Sequence, residues 1–160
     1  MIVGVGIDLV EVERIDNAWK RFGQRFVDRV LLPDEIAYCM KHKNPALFIA
    51  ARFAAKEAVS KAFGTGIGPL LGWHDVEVRH KESGAPYVAL HGKAEDLLAR
   101  VHANVFHLSL THTATNAAAV ATAAGSRPCL GAEGRAYDFV AGFGRSRPCA
   151  ARLYQASRNS

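Results

Sequence analysis

The 160-residue chain has little cysteine, few aromatics and no long apolar run. Each shortage removes a class of protein. Three cysteines, Cys39, Cys129 and Cys149, are odd in number and never fall at CxxC spacing. Neither a disulfide framework nor a cysteine zinc site is expected, and a reducing, cytoplasmic setting is. No stretch approaches the about 20 apolar residues of a membrane span, and Met1 to Val10 lacks the basic leader of a secretory signal. An excess of positive charge on the body is missing too. Residues 1–124 hold 14 Lys and Arg against 13 Asp and Glu; the net +5 comes mostly from residues 125–160, with six Arg against Glu133 and Asp138. The sequence pI of 9.3 therefore describes the last 36 residues more than the body, and nucleic-acid binding by the body loses its main support.

Those last residues contain five Gly, six Arg, four Ser and two Pro, with no Lys and no His, and Ser-Arg-Pro-Cys occurs at 126–129 and again at 146–149. Such a composition buries too little apolar surface to order itself. The sequence divides into a folded body over 1–124 and a poorly ordered extension over 125–160.

Within the body, Ile2 to Ile7 alternates β-branched residues with glycine, which predicts a strand over about 2–8 with Asp8 at its C-terminal end. There Asp8 either projects into a site or caps the helix that starts near Glu11. Val12, Ile15, Trp19 and Phe22 mark that helix, and Gly23 stops it. Pro33, Asp34 and Glu35 open another, running to about Lys41. The strongest helical segment is Ala46 to Phe63, free of internal Gly and Pro and closed by Gly64. Strands around 76–78 and 87–90, a short helix over 93–101, and strands over 105–111 and 117–122 complete a mixed α+β domain.

Glu57 and Lys61 are four residues apart and share a helix face. The Gly64–Gly68 loop follows that helix, whereas the glycines of a P-loop precede one and offer its N-terminal amides. A phosphate here meets the negative end of the helix dipole and needs a cation and a metal in compensation. Either Glu57 and Lys61 are a plain i,i+4 ion pair with Gly64 as the helix cap, or Lys61 supplies the first and Glu57 with Asp8 the ligands of the second, since Mg²⁺ takes one or two carboxylates plus substrate phosphates. Thr111-His112-Thr113 ends an apolar strand with a group of phosphate donors. Arg14, Lys20, Arg21, Arg25 and Arg29 make a basic series, either a solvated face or a dock for an acidic protein.

Three segments carry a resemblance to the bacterial holo-[acyl-carrier-protein] synthases, the small trimeric 4′-phosphopantetheinyl transferases. They are Gly4-Val5-Gly6-Ile7-Asp8 with Arg14-Ile15, the seventeen residues from Arg52 to Gly68, and His107-Leu108-Ser109-Leu110-Thr111-His112-Thr113. The resemblance covers about residues 1–124. It implies the family fold, helices packed on a small, mostly antiparallel sheet, in a homotrimer with sites between subunits. It also implies Mg²⁺-dependent transfer of 4′-phosphopantetheine from coenzyme A to a serine of apo acyl carrier protein, in support of fatty acid biosynthesis. Carried over, Asp8 and Glu57 hold the metal and Lys61 faces the pyrophosphate. Arg52 and the loop Gly64, Thr65, Gly66, Ile67 and Gly68 face the coenzyme A nucleotide, and His112 with Thr111 contacts the phosphate-binding edge. Arg14 and Arg21 meet the carrier protein. The serine proton goes to Glu57, to a water relayed by Glu57, or to His112. Other readings are a relaxed transferase serving polyketide or peptide-synthetase carriers, and a module that binds coenzyme A or an acidic protein without transfer.

Overall fold

Glycine at alternate positions of the first strand decides how the layers meet. In the computed structural model, which describes residues 1–125, β1 (Ile2–Glu11) lies along the longest helix, α4 (Pro45–Phe63), and turns Gly4, Gly6, Asp8 and Val10 toward it. A Cβ on Gly4 would stand 2.0 Å from the Ala62 carbonyl oxygen, and one on Gly6 1.9 Å from that of Ala58. Backbone therefore packs on backbone. No other residue tolerates the approach.

The helix beneath is alanine-rich and buried almost all round, with Pro45 in its first turn and Gly64 ending it in the left-handed conformation (φ +74°). Its sheet is antiparallel in the order β1–β5–β4, with β5 (Asn116–Ala124) central and β4 (Val105–His112) at the edge. Ala117, Ala119, Ala121 and Ala123 of β5 are buried. α1 (Val12–Phe22), α2 (Gln24–Val30) and α3 (Pro33–Met40) lead from β1 to α4, and the hairpin β2 (Val76–His80) and β3 (Pro86–Leu90) follows a one-turn helix at Trp73–Asp75. α5 (Lys93–Arg100) leads into β4. The α+β class and the helices on a small antiparallel sheet agree with the sequence reading.

Three expectations change. β1 does not stop at Asp8; it stays paired with β5 through Glu11–Asn116, so Asp8 lies within the strand and does not cap α1, whose first residue follows Glu11. Gly23 (φ +59°) does end α1, but α2 begins at once and buries Val27 and Val30, a helix too short to show a period. Glu35 is more than an acid near a helix start. It is buried, and its carboxylate accepts from the Leu32 and Val78 amides and from the Lys56 ammonium. The expected disorder of the extension concerns residues that, past Gly125, lie outside those described.

The other face of β1 carries Val5, Ile7 and Leu9, which are 60%, 64% and 67% exposed. Ile7 pairs with Val120 of β5, also exposed, so the apolar surface continues across two strands. Exposed apolar patches of this kind mark an interaction surface.

Candidate functional site

The close approach of β1 to α4 delivers Asp8 to the helix turn that carries Glu57 and Lys61. The Lys61 ammonium donates to Asp8 Oδ1 at 2.8 Å and to the Ile7 carbonyl at 3.0 Å. Glu57, one turn away on the same face, is held above the usual carboxylate range. Burial is the larger cause and the Asp8 charge the second; Lys61, Ser60 and Arg14 oppose them. Asp8 and Lys61 are thus in contact, and both act on the Glu57 carboxyl, with Arg14 as a second positive charge nearby. Among the described residues no group of three or more His, Cys, Asp or Glu is placed to hold a metal alone. The protein part of a cation site here is the pair Asp8 and Glu57, and the donor set suits Mg²⁺, which fills its remaining positions with water and phosphate oxygens.

The glycine loop begins one turn beyond Lys61. Its amides are already used: Gly64 donates to the Lys61 carbonyl, and Thr65 and Gly66 both donate to that of Ser60. Gly66 also has positive φ (+64°). Gly64, Thr65 and Gly66 therefore cap α4 and bend the chain through Ile67 to Gly68, where the amide donates to the Leu71 carbonyl. The loop supplies a shape beside Lys61, not the ring of free donors of a P-loop, as its place after the helix predicts.

Arg52, in the middle of α4, and His112, at the end of β4, lie elsewhere. Arg52 is 2% exposed, its guanidinium 4.1 Å from the centre of the Tyr38 ring, and its Nε finds no hydrogen-bond partner. His112 stands 5.8 Å from the Phe48 ring, and Phe48 accepts a long bond (3.5 Å) from Arg52 through its carbonyl. Tyr38 in turn stacks on His80 and Phe48 on His42. Arg52 and His112 therefore share one aromatic seam, apart from the Asp8–Lys61 pair of the same protomer. Strand alternation also separates Thr111 from His112: they are consecutive on β4 and project from opposite faces of the sheet. The donor cluster expected around His112 does not form within one protomer.

Arg14 and Arg21 lie two turns apart on the outer side of α1, whose inner side buries Val12 and Ile15. Arg14 is near enough to act on the Glu57 carboxyl, so the basic face borders the acidic pair. Arg21 lies 5.0 Å from the centre of the exposed Phe22 ring. Sequence reading passed over Glu35 and Lys56. The N3 position of Glu35 after Pro33 was the one local signal, and it points to a cap, not to a partner 21 residues away.

Comparison with known proteins gives the family. Residues 4–123 match the family described as the 4′-phosphopantetheinyl transferase superfamily. The holo-[acyl-carrier-protein] synthase of Nitratidesulfovibrio vulgaris is 48% identical over 120 residues, 75% of this chain and 96% of the relative. That of Koribacter versatilis is 47% identical over 113 residues, 71% and 90% of the two chains. The fold superposes on the crystal structure of the Neisseria meningitidis holo-[acyl-carrier-protein] synthase with a TM-score of 0.72 at 32% identity, over 77% of this chain and 98% of that one. For the Helicobacter pylori protein, crystallised in complex with coenzyme A, the values are 0.67, 35%, 75% and 99%. With its strand-borne aspartate set against the Glu57–Lys61 turn, the chain belongs to the holo-[acyl-carrier-protein] synthase family of 4′-phosphopantetheinyl transferases.

Proposed function

We propose that this chain transfers 4′-phosphopantetheine from coenzyme A to a serine hydroxyl of apo acyl carrier protein, releasing adenosine 3′,5′-bisphosphate and supporting fatty acid biosynthesis. The observation that carries the reading is the juxtaposition of Asp8, Glu57 and Lys61 beside the basic outer face of α1. The serine oxygen forms a bond to the β-phosphorus while the bond from that phosphorus to the bridging oxygen breaks. Such a transfer is catalysed by alignment and by neutralising pyrophosphate charge. Asp8 and Glu57 are the ligands of Mg²⁺, which when bound supplies Lewis-acid neutralisation of the phosphates. Lys61, held at Asp8 before substrate arrives, places its ammonium against the same charge. The Glu57 carboxylate takes the serine proton, directly or through a water. His112, on the Phe48 seam, is the weaker candidate within one protomer.

The Gly64–Gly68 loop and Arg52 serve the coenzyme A nucleotide, and Thr111 and His112 the phosphate-binding edge. Arg52 reaches a phosphate only if the Tyr38 ring gives way, and Thr111 contributes from the opposite sheet face. Both conditions favour a site shared between protomers. A homotrimer that covers Val5, Ile7, Leu9 and Val120 meets the same requirement. Arg14 and Arg21 dock the acidic carrier protein. A cytoplasmic setting suits these substrates; among the described residues no helix is long and apolar enough to cross a membrane.

Intact-mass analysis of apo acyl carrier protein incubated with this chain, coenzyme A and Mg²⁺ tests the reading. The expected result is a gain of one phosphopantetheine, lost with chelator and with Asp8→Ala. No gain under any metal condition, with coenzyme A still bound, would leave a binding module. The assembly is tested by light scattering. The wild type is expected at three times the chain mass, and Ile7→Glu, which puts a charge on the covered face, at one. An active wild-type monomer overturns the trimer.

A further inference from the structure

The mechanism above leaves one fully buried ion pair unused. Lys56 has 0% and Glu35 2% exposure. The Lys56 ammonium spends its three protons on three separate segments: Glu35 Oε2 of α3 at 2.7 Å, the Val30 carbonyl at the end of α2 at 2.8 Å, and the Trp73 carbonyl of the one-turn helix before β2 at 3.0 Å. Glu35 is used just as completely, since Oε2 also accepts from the Leu32 amide and Oε1 from that of Val78 in β2. The pair thus ties α4 to α2, α3, the one-turn helix and β2.

Seven of the thirteen buried residues of α4 are alanines, set among the larger Ile49, Arg52, Val59 and Phe63. Ala46, Ala50, Ala51, Ala54, Ala55, Ala58 and Ala62 present single methyl groups, and against β1 the contact is backbone on glycine. Interlocking ridges of larger side chains are what ordinarily fix a helix's rotation about its own axis. Here the alanines supply little of that and Ile49, Val59 and Phe63 supply the apolar part, whereas Lys56 alone adds three directional hydrogen bonds. Glu57 is the next residue, about 100° around the helix, and points toward Asp8. A buried ion pair adds little to stability over a well-packed apolar pair, so stability alone is a poor reason to hold one here.

We propose that Lys56, anchored by Glu35, is a positioning residue for the transfer: its three bonds fix the rotation of α4 and so aim Glu57 at Asp8. The inference rests on the transferase reading, and wild-type turnover separates the two. If the wild type transfers no phosphopantetheine, that reading fails; if it does, the variants decide on Lys56 alone. The test uses the full chain, with Mn²⁺ as the probe, titrated by electron paramagnetic resonance, and steady-state transfer measured in parallel. Residues that orient metal ligands typically change metal affinity or activity about 10–100-fold when lost. Lys56→Met, checked as folded by circular dichroism, is expected to weaken Mn²⁺ binding and lower kcat each by roughly 10-fold or more, with KM for coenzyme A little changed. Glu35→Asp keeps the charge but withdraws the anchor by one methylene, and is expected to shift both quantities the same way by a smaller factor. Should Lys56→Met fail to fold, Glu35→Asp decides. Folded variants with wild-type Mn²⁺ affinity and wild-type kcat overturn the proposal and leave the pair purely structural.

Discussion

Glu57→Gln is expected to melt at a higher temperature than the wild type in the absence of divalent metal, while losing about 10²–10⁴-fold in transfer rate. The two effects share one cause. Burial and the neighbouring Asp8 raise the Glu57 pKa above its ordinary 4.5, so the folded chain holds the Glu57 proton more tightly than the unfolded chain does. The stability tied to that proton is complete below the ordinary value. It is lost as pH rises from there through the folded pKa, so at neutral pH the ionised carboxylate destabilises the metal-free fold. Glutamine removes the charge at nearly the same volume. It also removes the proton acceptor and one of two metal ligands, so Mg²⁺, which raises the melting temperature of any protein whose folded state alone binds it, is expected to stabilise the wild type and not the variant. Thermal melts with chelator and with Mg²⁺, across pH 4 to 8, check both statements. A variant that melts lower without metal, or that keeps the Mg²⁺ shift, contradicts this account of Glu57. Such an exchange of stability for function is common at active sites.

Gly6→Ala is expected to cost more than any conservative change at the surface. The new methyl would lie 1.9 Å from the Ala58 carbonyl oxygen and 2.7 Å from the Ala62 amide nitrogen, both backbone atoms of α4. Overpacking typically costs about 1–3 kcal/mol and occasionally more; with no side chain free to yield, the upper end applies. At roughly 2–8 °C per kcal/mol for domains of this size range, the melting temperature should fall by about 10 °C. The folded remainder should also transfer more slowly, by about 10²-fold if β1 and α4 part by 1 Å. Trimming Ala58 to glycine as well is not expected to restore either quantity, because the clash is with the carbonyl and not with the methyl of Ala58. Recovery in that double variant, measured by melts and by the intact-mass assay, would show that the approach of the two backbones is not what matters.

Local chemistry made much of this legible in advance. Pro33 and Gly64 punctuate helices by fixing φ or permitting the left-handed conformation, and those boundaries fall where the sequence places them; α4 starts at Pro45, one residue before the expected Ala46. Glu57 and Lys61 share a face because four residues make a helical turn. What was not legible depends on partners distant along the chain. Lys56 and Lys61 are the same residue type five positions apart on one helix. One is fully buried against Glu35 and the other half exposed at Asp8, and nothing within α4 distinguishes them. The alternation of β1 gives its period but not its inner face. Here glycine points inward and Val5, Ile7 and Leu9 outward, the reverse of the usual apolar-in pattern, because the helix comes too close for side chains. Thr111 and His112 look like one cluster in a linear text and lie on two sides of a sheet. Arg52, expected from the resemblance to face the nucleotide, is 2% exposed and folded under Tyr38.

The alanines of β5 have a consequence of their own. Each inward position of that central strand, at 117, 119, 121 and 123, offers a single methyl group to the helix above. The gap between helix and sheet is therefore about as thin as side chains permit, and it sets how far Glu57 stands from the strand that bears Asp8. Ala119 is paired directly with Asp8 and touches no substrate, yet it works as a shim. Thickening it by two methyl groups would retune the spacing of the acidic pair with every functional residue still in place.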